Sequence, residues 1–364
     1  MILNNSAGGR RLKHIFLNNN EEYSKTEHII SRLLYDSKKE KLLTLNPLPE
    51  GFNSRIYKAS TDKGSEYFVK KYITHNGDMR DRLSTEFNSF SFLRKNKVYE
   101  VPEPVCMNKE HNTGIYSFIT GCKIHGKDIL QEHVLQAVEF LKKLHDLKNA
   151  EGSSDLPDAS EACFTIQAYM DSIDKRLSEL KSIHINKDIV EELHVYLNND
   201  FSPIYNEIKD FVDRKGREKS MDFSLELPET CKILSPSDFG FHNAIRQGDG
   251  TFVFVDFEYF GHDDPAKLIS DFYLHPRNSL PCIHREFFFH RLYEYLNKDS
   301  NLVKRLPFIY LLLSLKWCLI MLNVFHMVHE EENPLCSGQL QKAKDKLDET
   351  VRDFKSKKFP LSLL

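Results

Sequence analysis

"KILSPSDFGFHNAIRQGDGTFVFVDFEYFGHDDP", residues 232–265, is the stretch on which the reading of the whole chain turns. Within it, "NAIRQGDGTFVFVDF" has the pattern of a hairpin whose tight turn is Gly248-Asp249. That turn pairs Gln247 with Gly250 and so sets Asn243 opposite Phe254. Asp256 then falls two residues beyond Asn243's partner on the same face. The diagonal between such positions is about 7–8 Å, short enough for two side chains to converge on one ion. Asp238 precedes Asn243 by five residues, in the loop that leads into the hairpin. Three oxygen-bearing side chains thus gather at one end of a small β-element.

Asp and Asn oxygens are hard ligands suited to magnesium, which keeps waters and substrate phosphates in its octahedral shell. The pattern points to a nucleotide-phosphate site with Asn243 and Asp256 on the metal. Asp238 is left to accept a proton from an attacking hydroxyl, which matches the phosphoryl-transfer template. The tripeptide Asp238-Phe239-Gly240 is spelled like the magnesium-binding Asp-Phe-Gly of protein kinases, but the metal position belongs to Asp256 in "VDFE". Further along, His262 and Asp263 resemble the paired ligands of a metal hydrolase, yet no additional His and Asp set completes such a site. Asp264 and Pro265 have a simpler use as N-cap and first residue of the helix "AKLISDF".

Upstream, residues 42–72 show short β-rich runs broken by Pro49-Glu50-Gly51 and Asp62-Lys63-Gly64, a three-stranded antiparallel meander. "DRLSTEFNSFSFLRKN" places Leu83, Phe87, Phe90 and Leu93 at helical spacing, and "TGIYSFITG" returns to strand character. From about residue 128 the periodicity is mostly helical, with Val134, Val138, Leu141 and Leu144 on one face. The organisation expected is α+β: an N-terminal extension over 1–41, a β-rich small lobe over 42–122, and a helical large lobe over 123–364 carrying the catalytic and acceptor sites.

Composition narrows the partners. With 364 residues, 50 basic against 53 acidic, and a net charge of -3, the chain lacks the strongly basic balance of a nucleic-acid binder. Seven scattered cysteines form no Cys-x-x-Cys pair and read as reduced thiols, which together with the absence of a secretory pattern at the start suggests the cytoplasm. Residues 307–325 are apolar enough to suggest a membrane span. Lys316 sits in their middle, where a charge costs about 2.5–3.5 kcal/mol on insertion scales, so a buried helix is expected.

"DFGFHN", "FVFVDFEYFGHDDPAKLISDF" and "LKKLHDL" together resemble the aminoglycoside phosphotransferase and choline kinase superfamily, the small-molecule branch of the protein-kinase-like fold. The resemblance covers most of residues 42–276. It implies ATP and Mg2+ as cofactors and transfer of the γ-phosphate to a hydroxyl of a small molecule such as a sugar, an aminoglycoside or a choline-like alcohol. It makes Asp238 the catalytic base and Asn243 and Asp256 the metal ligands. "PEGFNSRIYKA" takes the place of the phosphate loop, with Gly51 and Ser54. Lys70 matches the lysine on the α- and β-phosphates, Glu86 its helix partner, and Ser117, Phe118 and Ile119 the adenine-binding hinge. Glu258 and Asp263 are expected at the acceptor. The family usually has His two residues before the catalytic Asp; this chain has Pro236. A nucleotide-binding module without turnover and a kinase acting on protein are the alternatives.

Overall fold

The computed structural model describes residues 8–49, 53–74, 78–124, 126–185, 187–278, 280–296, 302–327, 335–357, 360 and 362, without the side chains of 8–21, 282 and 327. The chain forms two compact units, the first comprising residues 1–122 and 247–258, the second 123–246 and 259–364.

The first unit opens with α1 (Gly8–Lys38), followed by β1 (Leu42–Pro47), β2 (Ser54–Thr61), β3 (Glu66–Tyr72), α2 (Arg82–Lys95), β4 (Pro104–Asn108) and β5 (Thr113–Ser117). The five strands make an antiparallel sheet of order β1-β2-β3-β5-β4, so the meander read from the turn residues is present. Alternation along the strands sends Leu45, Tyr57, Ala59, Val69 and Ile115 to one face, where Ile30 and Leu34 of α1 cover them. The stretch read as an extension is therefore more than an appendage in its described part: α1 closes one side of this core. α2 starts where the Asp81 carboxylate accepts the Ser84 N–H at 3.0 Å. Its Phe90 meets Tyr116 edge-on, with ring centroids 5.6 Å apart.

The chain then enters the second unit with α3 (Gln131–Asp146), α4 (Ile166–Lys181), α5 (Asp188–Val195), α6 (Ser202–Glu218), β6 (Ile233–Ser235) and β7 (Ala244–Arg246). It returns to the first unit for β8 (Phe252–Phe254), and ends in the second with β9 (Gly261–Asp263), α7 (Pro265–Leu274), α8 (Cys282–Leu296), α9 (Leu302–Ile320) and α10 (Leu335–Ser356). Asp256 and Glu258 thus fall in the first unit, not in the large lobe where the sequence boundaries put them.

The turn before β8 is one residue longer than expected. Gln247 N–H donates to Thr251 O at 2.8 Å and Gly250 N–H to Gln247 O at 3.0 Å, so Gly248–Gly250 form a three-residue loop. Gly250 takes φ 89°, the left-handed region that closes such a loop at little cost for glycine. The expected pairing of Gln247 with Gly250 across a two-residue turn is replaced by one of Gln247 with Thr251.

α9 lies among α4, α7 and α10, and the apolar stretch from Leu302 to His326, long and apolar enough to cross a membrane, has 78% of its window buried inside the protein. Lys316 is buried there with its ammonium 2.9 Å from Glu161. The helix begins five residues before Pro307, where the apolar stretch was read to start, and so gives up one backbone bond at the proline.

β6 pairs antiparallel with β9, Ile233 opposite Asp263 and Ser235 opposite Gly261. A Cβ on Gly261 would stand 2.2 Å from Pro157 O and 2.5 Å from Ala159 N, both backbone atoms without freedom to retreat. Gly261→Ala is expected to destabilise the second unit by about 1–3 kcal/mol, seen as a lower denaturation midpoint at unchanged slope. A midpoint equal to wild type would show that the strand pair can shift.

Candidate active site

In the first unit, what covers each face of β3 decides between two adjacent lysines. Lys71 points toward α1 and reaches Glu22 at 3.3 Å, whereas Lys70 points the other way and is buried. Its Nζ lies 2.7 Å from Glu86 Oε2, 2.5 Å from Asp256 Oδ1 and 3.0 Å from Glu258 Oε2. Burial works against the charged ammonium, but the carboxylates of Asp256, Glu86 and Glu258 outweigh it and hold Lys70 well above the usual lysine range.

Glu86 is fixed from several directions. Tyr72 donates its hydroxyl to Oε2 at 2.5 Å, and the Phe257 N–H donates to Oε1 at 3.2 Å. Burial raises its pKa, with the Lys70 charge opposing. Glu258 is equally enclosed: Asn53 donates to its Oε1 at 2.8 Å and Arg82 Nε stands 3.6 Å away. Asp256 differs, with its side chain 41% exposed and its backbone at φ 70°. A left-handed non-glycine residue carries strain of order 1–3 kcal/mol and aims its side chain where an ordinary strand end would not.

Three carboxylates gathered around one ammonium leave an excess of hard oxygen ligands. The nearest oxygens of Glu86, Asp256 and Glu258 lie within 4.8 Å of one another, a donor set that fits a divalent cation such as magnesium. Ser54 is buried at the start of β2 opposite Tyr72. Ser117 and Phe118 give their backbone N–H groups to Glu103 O and Glu66 O, and Ile119 follows them out of the sheet. Gly51 lies outside the described residues.

The second unit carries Asp238. After β6 the chain turns sharply at Ser237, φ 65°, whose hydroxyl donates to Ser160 O at 3.0 Å and receives Lys267 Nζ at 3.0 Å. Phe239 and Phe241, either side of Gly240, are buried; Phe239 stacks between Phe140 and Phe272, each at 6.0 Å. These anchors leave the carboxylate of Asp238 partly accessible, with 22% of its side chain exposed. Asn243 donates to Asp238 O at 3.0 Å and to Oδ2 at 3.3 Å, so its amide nitrogen is engaged within this turn. Two imidazoles also reach Asp238: His242 Nε2 at 2.9 Å and His275 Nε2 at 3.1 Å, both from Oδ1. Burial raises the Asp238 pKa, but the hydrogen bonds from His242 and His275 outweigh it and hold the carboxyl well below the usual range. Asp263 is fully buried, 3.0 Å from Lys267 Nζ, so its carboxylate is engaged inside the unit. Asp264 caps α7 as its sequence position suggested, accepting the Ala266 N–H at 2.8 Å.

Residues 44–198 match the phosphotransferase enzyme family. The structure is similar to a choline kinase, LicA, of Streptococcus pneumoniae, with 15% identity over 89% of this chain and 99% of that one at a TM-score of 0.57. The shared fold is that of a choline kinase and a spectinomycin phosphotransferase. The ethanolamine kinase of Plasmodium vivax shares it at 17% identity, covering 87% of this chain and 83% of its own, TM-score 0.58. A spectinomycin phosphotransferase in complex with ADP and its antibiotic does so at 13% identity, covering 92% and 95%, TM-score 0.58. No curated protein matches the sequence. Within this fold, sequence reasoning overlooked His275, Tyr72 and Arg82. Tyr72 had a signal, since it shares a β3 face with Lys70; His275, 37 residues after Asp238, had none.

Proposed function

We propose that this protein transfers the γ-phosphate of ATP, with magnesium, to a hydroxyl of a small molecule. The observation that carries the reading is Lys70, buried and bonded to Glu86 with Asp256 beside it, the arrangement a β3 lysine and a metal aspartate take in phosphoryl transfer. Lys70 would steady the nucleotide phosphates, and Asp256 and Asn243 would hold magnesium. The metal supplies charge neutralisation at the phosphates. Asp238 takes the proton of the acceptor hydroxyl as that oxygen bonds to the γ-phosphorus, the bond to the β-phosphate oxygen breaks, and ADP leaves; the proton then passes to water. The ADP and AMP complexes of the structural relatives support a nucleotide in this role. Glu258 and Asp263, expected at the acceptor, are each buried and paired with a lysine of their own unit, so we assign them to holding Lys70 and Lys267 and not to the acceptor. Free thiols at Cys106, Cys122, Cys163, Cys231, Cys318 and Cys336 fit a cytoplasmic setting.

The acceptor is proposed to be small because only eight residues, Phe257 to Asp264, separate Asp256 from α7, and Gly261–Asp263 of these are committed to pairing with β6. That leaves no length for a peptide platform of the protein-kinase kind. Labelled ATP offered with choline, ethanolamine, an aminoglycoside, spectinomycin and a hexose should place phosphate on one of them. Efficient labelling of a protein substrate with none on any small alcohol, or nucleotide binding with no transfer at all, would overturn the proposal.

A further inference from the structure

The two histidines on Asp238 form with it a group whose ligand atoms lie within 4.8 Å of one another, close enough for a metal ion, yet both face a single carboxylate oxygen. His242 and His275 come from different elements, one from the short helical turn 241–243 and the other from the end of α7. Their rings stack at 3.9 Å with only 3° between planes, and both direct Nε2 to the same oxygen, Oδ1. Coordinating nitrogens must point their lone pairs at a common centre, whereas rings stacked in parallel point them side by side. A carboxylate oxygen accepts from both.

The proton positions follow from the surroundings. His275 Nδ1 accepts the Arg277 N–H at 3.2 Å, which leaves its proton on Nε2, facing Asp238. His242 Nε2 faces an ionised carboxylate oxygen, which cannot donate, so it too carries a proton there. Each ring is held from behind. Trp317 packs on His275 with ring centroids 4.8 Å apart and 85° between planes, and it is tied through Nε1 to Asp271 at 2.9 Å. Lys123 Nζ grips the carbonyl of His242 at 2.9 Å. Gly240 leaves room for the His242 ring, since a Cβ there would stand 2.8 Å from Nδ1. On the other carboxylate oxygen, Oδ2, the contacts are looser: Asn243 Nδ2 at 3.3 Å and the exposed Arg277 guanidinium at 3.9 Å.

We propose that His242 and His275 are positioning residues that pin Oδ1 of Asp238 between two N–H donors, so that Oδ2 is the oxygen presented to the acceptor hydroxyl. The assignment rests on Asp238 being the proton acceptor. The pair fixes the carboxylate against rotation, which a single hydrogen bond would allow. Misplacing a reacting group by about 1 Å costs on the order of 10²-fold in rate, and that is the scale of the effect expected from losing the pair.

Phenylalanine keeps the stacked ring and removes the donor, while glutamine restores an N–H at similar reach. His242→Phe and His275→Phe should each lower kcat, the double variant by about 10²-fold, with KM for ATP within about twofold of wild type. His275→Gln should recover most of the loss. Nitrogen-15 spectra of the full chain with labelled histidine should show both rings protonated at Nε2 and bare at Nδ1. A bare Nε2 on either ring overturns the clamp, as does wild-type kcat in the double Phe variant while Asp238→Asn is inactive. Should Asp238→Asn itself turn over normally, the base assignment falls and the spectra alone judge the hydrogen bonds. Should the Phe variants fail to fold, the spectra of wild type and the kcat of His275→Gln decide, with near-wild-type turnover expected.

Discussion

Asp238→Asn is expected to bind magnesium-ATP with near-normal affinity and to lose about 10²- to 10⁴-fold in turnover, the contribution of a positioned general base. The amide is the same size as the carboxylate and still offers an oxygen to the N–H groups of His242 and His275. What it lacks is a site for the acceptor's proton. Nucleotide affinity is expected to depend on Lys70 and its carboxylates, which belong to the first unit and are untouched by the change. The effect should therefore appear in kcat and not in the dissociation constant for ATP. Wild-type turnover in this variant, with the alcohol that accepts phosphate, would refute the base assignment.

Asp256→Ala should act on both quantities. Its carboxylate is the exposed member of the acidic cluster, aimed outward by a left-handed backbone, while Glu86 and Glu258 are buried and held by Tyr72, Asn53 and Arg82. Removing it takes away the ligand that a metal could reach, and magnesium-dependent ATP affinity and turnover should both fall by about 10²-fold or more. Lys70 keeps two carboxylates, so the fold of the first unit should survive. Asp249→Ala, at the turn where that carboxylate only accepts from Thr251, serves as the control and should change neither. If affinity in Asp256→Ala keeps its full magnesium dependence, the metal lies elsewhere.

Much of this was legible without coordinates, for reasons that differ by element. Turn residues announced the meander, because Asp62-Lys63-Gly64 has few other uses, and Asp264-Pro265 announced the start of α7 by capping chemistry. The hairpin turn was misjudged by one residue because Gly248-Asp249-Gly250 satisfies a two-residue or a three-residue loop equally, and only the left-handed φ of Gly250 chooses. α1 was overlooked because its apolar stripe through Ile30 and Leu34 is diluted by Asn, Lys and Glu, and its burial depends on a sheet that comes later in the chain. Alternation alone could not say which of Lys70 and Lys71 turns inward, since that depends on what covers each face of β3. His275 illustrates a limit of spacing arguments: its role comes from the path of α7, which returns the chain to Asp238.

The discontinuity of the first unit bears on how the protein is made. When residue 122 leaves the ribosome, the sheet, α1 and α2 are complete, but Asp256 and Glu258 are still more than a hundred residues from synthesis. Until they arrive, Lys70 has Glu86 as its only carboxylate among those that surround it in the finished fold. A buried ion pair with unmet charge is a weak element, and domains generally fold as units once their chain is complete. The nascent small unit is thus expected to wait, loosely formed, through the synthesis of four helices before its last segment threads home. A premature stop anywhere before residue 256 would leave that unit without two of the three carboxylates that surround its central lysine.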